Sequence, residues 1–413
     1  MHSYAALLGR HTTLSRAELT ALLPDLIPGK SFGDFFTFQT ARELDQTFLS
    51  RLGGTILLMR RLISDSAMTI DDLPAILMTE LRETAKKPVF SLRLFGLPPR
   101  RSQDLLKLCK QHLKKHGTPS RYVGSEREPP KAIQLHDEGL LNPKQGCELT
   151  VLLDKEDLWI GRTIAAQDVK AYTERDIGKP VRDTTVGLLP PKLAQTLINF
   201  GEYLAGSSDK RKAESDKQKV ESGKLTVFDP FCGTGVIPLE SMLRGYDVLA
   251  SDLSLKAVNG CSKNIEWARK TYKIAKKDVE TTVWKQDAQK PFALKNPPTI
   301  IVTEGTLGPP LLGRPTQKDT EKYMRQVETV IIGFLRNCKA TLPGVPVVMT
   351  IPVWYAQKHM LFLTKVWDVM HELGYRPTLP PHISPSSDGR FSILYRRNDQ
   401  FVGREIVLLQ PKK

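Results

Sequence analysis

Leu225-Thr226-Val227-Phe228-Asp229-Pro230-Phe231-Cys232-Gly233-Thr234-Gly235 starts as a short apolar run and ends in two glycines one residue apart. The run Leu225–Asp229 predicts a strand. The glycines predict a strand-to-helix turn whose backbone takes positive φ and lets a ligand approach closely. A lone Gly-x-Gly is usually only a tight turn. Here Asp252 follows 17 residues after Gly235, at the end of the next predicted strand, placed to accept hydrogen bonds from ribose hydroxyls. Asp287 ends the third predicted strand, where its carboxylate would accept from an adenine amino group. Leu253 and Ala288, beside these acids, complete the expected lining. A solvated surface does not explain three acids at three successive strand ends.

Further strands are predicted at Thr299–Glu304 and Val345–Pro352, with helical patterns between, and a hairpin of Phe391–Arg396 with Arg404–Gln410 closes the chain. That order is α/β: a doubly wound, Rossmann-like sheet of seven strands with a C-terminal antiparallel hairpin, binding ligands at the carboxyl ends of its strands. A pyrophosphate would want a third glycine and no carboxylate nearby. Asp229 instead suits a positively charged ligand, as the ammonium and sulfonium of S-adenosyl-L-methionine are. The expected cofactor site is Asp229, Pro230, Phe231, Cys232, Gly233, Thr234, Gly235, Asp252, Leu253, Asp287 and Ala288.

Before this region, the first 64 residues read strand, helix, strand, helix, strand, an α+β domain. Residues 65–155 form a second unit. It has a strand at Val89–Phe95, a helix capped by Ser102 and running to Lys115, Gly117 just past its end, and strands at Ala132–Leu135 and Glu148–Leu153. The catalytic domain is expected over 156–413, with a polar, flexible loop at Ser207–Lys224.

At 413 residues several cores are expected, and 40% hydrophobic with 25% charged residues describes a globular chain. No apolar run approaches a membrane span, and the N-terminus lacks a secretory signal. The five cysteines are scattered without a Cys-x-x-Cys pair, which predicts a reducing, cytoplasmic setting and no metal site. The formal net charge of +15 predicts a polyanionic partner. Twelve basic residues between Lys86 and Lys131 face only Asp104, Glu126 and Glu128. A charge run is usually a solvated face. This one is concentrated enough to predict RNA docking on Arg100, Arg101, Lys107, Lys110, Lys114, Lys115 and Arg121.

The segment from Asp229 resembles the catalytic domain of the THUMP-associated tRNA guanine-N2 methyltransferases. Tyr172, Arg175-Asp176, Pro180 and Gly187-Leu188-Leu189-Pro190-Pro191-Lys192-Leu193-Ala194-Gln195 resemble that family's segment before its glycine motif. Tyr4-Ala5-Ala6-Leu7-Leu8-Gly9-Arg10, with Leu14-Ser15 and Glu18-Leu19, resembles its N-terminal domain. Residues near 88–153 are similar to a THUMP module. The resemblance implies a class I S-adenosylmethionine-dependent enzyme that methylates the N2 amine of a guanine in tRNA, in some relatives with a small activating subunit.

Amino methyltransferases of this kind carry Asp/Asn-Pro-Pro-Tyr/Phe after the fourth strand. Asn296-Pro297-Pro298-Thr299 is a decoy, because it precedes that strand and lies at the wrong end of the sheet. Laid on the pattern, Glu304 takes the place of the acid, Gly305 and Thr306 replace the prolines, and Leu307 replaces the aromatic ring. Glu304 and a backbone carbonyl would hold the amine so that its lone pair faces the methyl group. A base-stacking platform would then come from Trp354, Tyr355 or Phe391, each of which reads equally well as a core residue. Two other readings remain: an amino methyltransferase acting on adenine in DNA or on ribosomal RNA, and a tRNA-binding protein without catalysis.

Overall fold

Consecutive buried residues Tyr4, Ala5 and Ala6 in β1 (His2–Leu8) match its place inside an eight-stranded sheet, covered on both faces, in the computed structural model of the chain. The structure describes residues 1–62, 69–84, 87–125, 128–155, 157–183, 189–213, 224–311, 313–356, 359–397 and 400–412, with the side chains of 207–213 left aside. Gly187-Leu188, Lys86, Glu126 and Arg127 fall outside these residues. The chain divides into two units: Met1–Arg16 with Leu23–Tyr172, and Ala17–Leu22 with Thr173–Lys413.

The first unit contains β1, β2 (Ile27–Phe32), β3 (Phe35–Thr40), β4 (Thr55–Arg61), β5 (Val89–Phe95), β6 (Arg121–Tyr122), β7 (Gly146–Asp154) and β8 (Asp157–Ala166), in the order β2-β3-β1-β4-β8-β7-β5-β6. The helices up to residue 173 are α1 (Thr12–Leu22), α2 (Gln46–Ser50), α3 (Leu73–Glu80), α4 (Pro99–Lys115), α5 (Ala132–Asp137) and α6 (Val169–Thr173). Leu73 and Leu77 of α3 and Cys109 and Leu113 of α4 bury against Phe90 and Leu149.

The boundaries differ from expectation in several places. β4 and β8 pair directly, so the segments 1–64 and 65–155 share one sheet, and Asp157–Ala166 belongs to it. Ala132–Leu135 is helical, because its apolar residues Ala132 and Leu135 are three apart and share one helix face. Helix α4 begins at Pro99, whose fixed φ suits a first turn; Ser102 is inside that turn and returns its hydroxyl to the Pro98 carbonyl. Gly117 does follow the helix, at φ 71°.

The second unit contains β9 (Thr226–Asp229), β10 (Asp247–Asp252), β11 (Thr281–Lys285), β12 (Ile300–Thr303), β13 (Val347–Ala356), β14 (His359–Leu361), β15 (Tyr375–Thr378), β16 (Ser392–Tyr395) and β17 (Val402–Pro411). Its helices are α7 (Pro191–Ala213), α8 (Val236–Leu243), α9 (Leu255–Thr271), α10 (Gln317–Thr341) and α11 (Thr364–Glu372). The sheet order is β11-β10-β9-β12-β13-β17-β15, with β16 paired to β17 and β14 to β13. The first five strands are parallel and β17 is antiparallel to its neighbours, the doubly wound, Rossmann-like arrangement expected from the sequence. Strands β12 and β13 are apolar on both faces because helices cover both sides. Val327, Ile331, Phe334, Leu335 and Cys338 of α10 repeat at helical spacing and pack against Val347, Met349 and Trp354. The short β15 was not anticipated; its Pro377 is tolerated because the strand lies at the sheet edge. Helix α7 continues to Ala213, so Ser207–Ala213 is not loop, and the rest of that expected loop up to residue 223 lies outside the described residues.

Candidate functional site

The order of the strands reverses between β10-β9 and β12-β13, which opens a crevice above the carboxyl ends of β9 and β12. From β9 the chain passes through Pro230–Gly235 into α8. Gly235 precedes the helix at φ 86°, and a Cβ there would lie 2.6 Å from the Cys261 sulfur. Only glycine fits both demands. Beside Gly233 a Cβ would meet nothing within 4 Å, so the loop borders open space.

Asp229 is 3% exposed. Its Oδ1 accepts from the Thr303 hydroxyl at 2.7 Å and from the Phe231 N–H at 3.2 Å, while Oδ2 receives no hydrogen bond among the described residues. Burial raises its pKa to about 7 against these two hydrogen bonds, with the charges of Asp252 and Glu304 adding to the rise. Thr303, at the end of β12, was missed by sequence reasoning. Its hydroxyl also accepts from the Gly305 N–H at 3.2 Å, tying the two strand ends together.

Asp252 is partly exposed at the end of β10. Its oxygens accept from the N–H groups of Gly233 at 3.0 Å and Ser254 at 2.8 Å, which leaves lone pairs on both. Leu253 beside it is 64% exposed, an apolar surface left uncovered next to the acid. Asp287 lies two residues beyond β11 rather than within it, in a turn where Oδ1 accepts from the Gln289 N–H at 3.0 Å. Ala288 is 5% exposed and packs its side chain in the core, with its carbonyl accepting from Asn337. Cys232 is likewise buried, its thiol pKa raised by a hydrogen bond with Cys261 and by burial.

Beyond β12, Gly305 has φ 72°, a backbone angle closed to the proline at this place in the resembled pattern. Thr306 accepts from the Gly308 N–H at 3.3 Å, and Leu307 is half-buried. Asn296-Pro297-Pro298 sits at the opposite end of the sheet, where the Thr299 N–H meets the Thr226 carbonyl. Glu304 keeps 15% of its side chain open, and Arg404 Nε donates to its Oε1 at 2.6 Å. Burial raises the Glu304 pKa, and the Arg404 guanidinium opposes the rise. The Glu304 carbonyl accepts from the Thr350 hydroxyl at 2.6 Å. Sequence reasoning missed Arg404, 100 positions away, although adjacent charges at Arg404-Glu405 in an otherwise apolar strand were a signal.

Of the three candidate platforms, Trp354 is core, one of the two readings its sequence position allowed. It is 2% exposed and fixed in the core beneath Gly308. Tyr355 is half-buried with the Arg396 guanidinium 3.7 Å from its ring centre. Phe391 is 45% exposed and lines a groove with Trp367, His371 and Arg390.

In the first unit, α4 turns Leu105, Leu106, Cys109 and Leu113 inward and leaves Arg100, Lys107, Lys110, Lys114 and Lys115 exposed. Arg101 pairs with Asp71, and Arg121 with Glu138. The other five form no ion pair among the described residues, and Lys110 stands 5.1 Å from the ring centre of Tyr122. Among the described residues no cluster of potential metal ligands occurs, and no helix is long and apolar enough to cross a membrane.

No family model matches the sequence, and no curated protein is significantly similar to it. Solved structures of similar shape include TrmN from Thermus thermophilus, at 15% identity over the whole of both chains with a TM-score of 0.49. A "possible methylase" from Clostridium difficile 630 is 12% identical over all of this chain and 98% of its own, at 0.48. A methyltransferase from Pyrococcus furiosus is 12% identical over 59% of this chain and 94% of its own, at 0.33. At these identities and scores the likenesses carry no chemical argument, and the residues must supply it.

Proposed function

We propose that this protein transfers a methyl group from S-adenosyl-L-methionine to the exocyclic N2 amine of a guanine in tRNA. The observation that carries the reading is the pair of Asp229, which accepts from Thr303, and Glu304, the residue after Thr303, each with one carboxylate oxygen that receives no hydrogen bond among the described residues. Asp229 Oδ2 would hold the cofactor's ammonium, lone pairs of Asp252 would accept from its ribose hydroxyls, and the exposed Leu253 would cover one adenine face. Asp287 would accept from the adenine amino group. The open space beside Gly233 lets a ligand approach the loop backbone. Bound there, the cofactor supplies a methyl group already activated by its positive sulfur.

A guanine amine is a poor nucleophile because its lone pair is delocalised into the ring. Glu304 Oε2 would accept one of its N–H groups, turn the lone pair toward the methyl group and take the released proton. The exposed basic face of α4, in the expected THUMP-like region, would hold the RNA backbone. The test is transfer of labelled methyl to unmodified tRNA transcripts, followed by nucleoside analysis. Label in N2-methylguanosine is expected. Label only in N6-methyladenosine would replace the acceptor base, and no label in any RNA would favour binding without catalysis.

A further inference from the structure

Arg404 reaches Glu304 from β17, with β13 lying between their strands. Its side chain is 1% exposed, so its charge has little water around it. Such an arginine normally uses its planar fork fully, with Nε and Nη2 donating in parallel to the two oxygens of one carboxylate. Arg404 does not. Nε donates to Glu304 Oε1, Nη1 reaches the Gln400 side-chain oxygen at 3.4 Å, and Nη2 is buried with no hydrogen-bond partner among the described residues. Nη2 shares the guanidinium edge with Nε, and so faces the same side as the carboxylate. A buried N–H left unbonded is unfavourable, and an ion pair present only for stability would close the fork. Glu304 is correspondingly held by one oxygen, with Oε2 accepting no hydrogen bond among the described residues and the side chain partly open.

We propose that Arg404 is the positioning residue for Glu304: by tying Oε1 alone, it turns Oε2 toward the acceptor amine. The inference rests on the methyl-transfer reading above, since it names what orients that carboxylate. The backbone reinforces the hold, because the Thr350 hydroxyl fixes the Glu304 carbonyl. Burial disfavours the ionised carboxylate and Arg404 from β17 opposes that rise, while the Glu304 charge in turn raises the pKa of Asp229 at the end of β9. Removing Arg404 must therefore make Glu304 harder to ionise.

The test is single-turnover methyl transfer to tRNA transcripts between pH 5.5 and 8.5 for wild type, Arg404→Met and Arg404→Lys. In Arg404→Met the acidic limb should move up by about one to three pH units, the usual effect of losing an opposite charge at this range. The rate at its plateau should fall about tenfold or more, with KM for tRNA unchanged. Arg404→Lys keeps the charge and should restore the limb while leaving the plateau low, because one ammonium cannot set the carboxylate's direction. An Arg404→Met protein with wild-type limb and plateau overturns the inference, as does an Arg404→Lys protein with both intact. Should Arg404→Met fail to fold, the Lys variant decides through its plateau. Absence of transfer by the wild type overturns the methyl-transfer reading and this inference with it, whereas an active wild type with insensitive variants overturns the inference alone.

Discussion

Glu148 and Glu304 each meet a buried arginine, one in each unit of the molecule, and the two pairs are built differently. Glu148 on β7 faces Arg93 on β5, with Nη2 to Oε1 at 2.9 Å and Nε to Oε2 at 3.3 Å. Thr163 donates a further bond to Oε2, and the Pro130 carbonyl accepts from Arg93 Nη2 at 2.6 Å. Both Glu148 oxygens are satisfied, and its side chain is fully buried. The Glu304 pair leaves one oxygen and one N–H unused at the mouth of a crevice. A closed network rigidifies a fold, whereas an open one keeps valences for a ligand. Burial raises the pKa of both glutamates, so titration alone would not separate them; the difference lies in which atoms remain free.

The largest effect expected from breaking this comparison is on stability. Glu148→Ala leaves Arg93 with a buried, unpaired charge and should cost about 3–5 kcal/mol in chemical denaturation. Replacing both partners by apolar residues of similar volume should recover much of that loss. The second effect is on rate. Glu304→Gln keeps an oxygen for Arg404 Nε but removes the charge, and should lower single-turnover methyl transfer about 10²-fold or more. Its denaturation midpoint and tRNA affinity should stay near wild type. A Glu304→Gln protein as unstable as Glu148→Ala, but with an undiminished rate, would make the two pairs the same kind of object.

The smallest effect sharpens the role of Asp229. Its pKa near 7 lies above the ordinary 3.8, so between these values the folded protein keeps a proton the unfolded chain has released. Free-protein stability from this group therefore falls as pH rises from about 4 to 7. Binding of a cation at Asp229 needs the ionised form and runs the other way. Affinity for S-adenosylmethionine should rise about fivefold between pH 6 and 7, while Asp229→Asn should bind weakly with a flat profile. Calorimetric titration across that range measures both, and a flat wild-type profile would move the ammonium elsewhere.

Much of the second unit was legible because its signals are local. β9, the glycine turn and β10 each come from a few adjacent residues, and the alternation of apolar runs with helical spacing implied the parallel sheet. In the first unit the helix of Ala132–Asp137 was read as a strand, since six residues are too few for either period to show. The sharing of one sheet by 1–64 and 65–155 depends on β4 pairing with β8, about 100 residues later, which no local pattern encodes. The burial of Ala288 and Trp354 was not legible for a related reason: an apolar residue at a strand end reads the same whether a helix covers it or not.

By itself the sequence determined the order of the parallel strands in the second unit, the glycine turn, the acids Asp229 and Asp252 at strand ends and the position of the basic helix. Each is set by spacing along the chain, through backbone sterics and the period of apolar residues. Tertiary structure alone decided how each acid is used. It sent Thr303 to Asp229, brought Arg404 to one oxygen of Glu304, and closed Glu148 completely. Hydrogen bonds and ion pairs act over about 3 Å between residues that the fold, not the chain, makes neighbours.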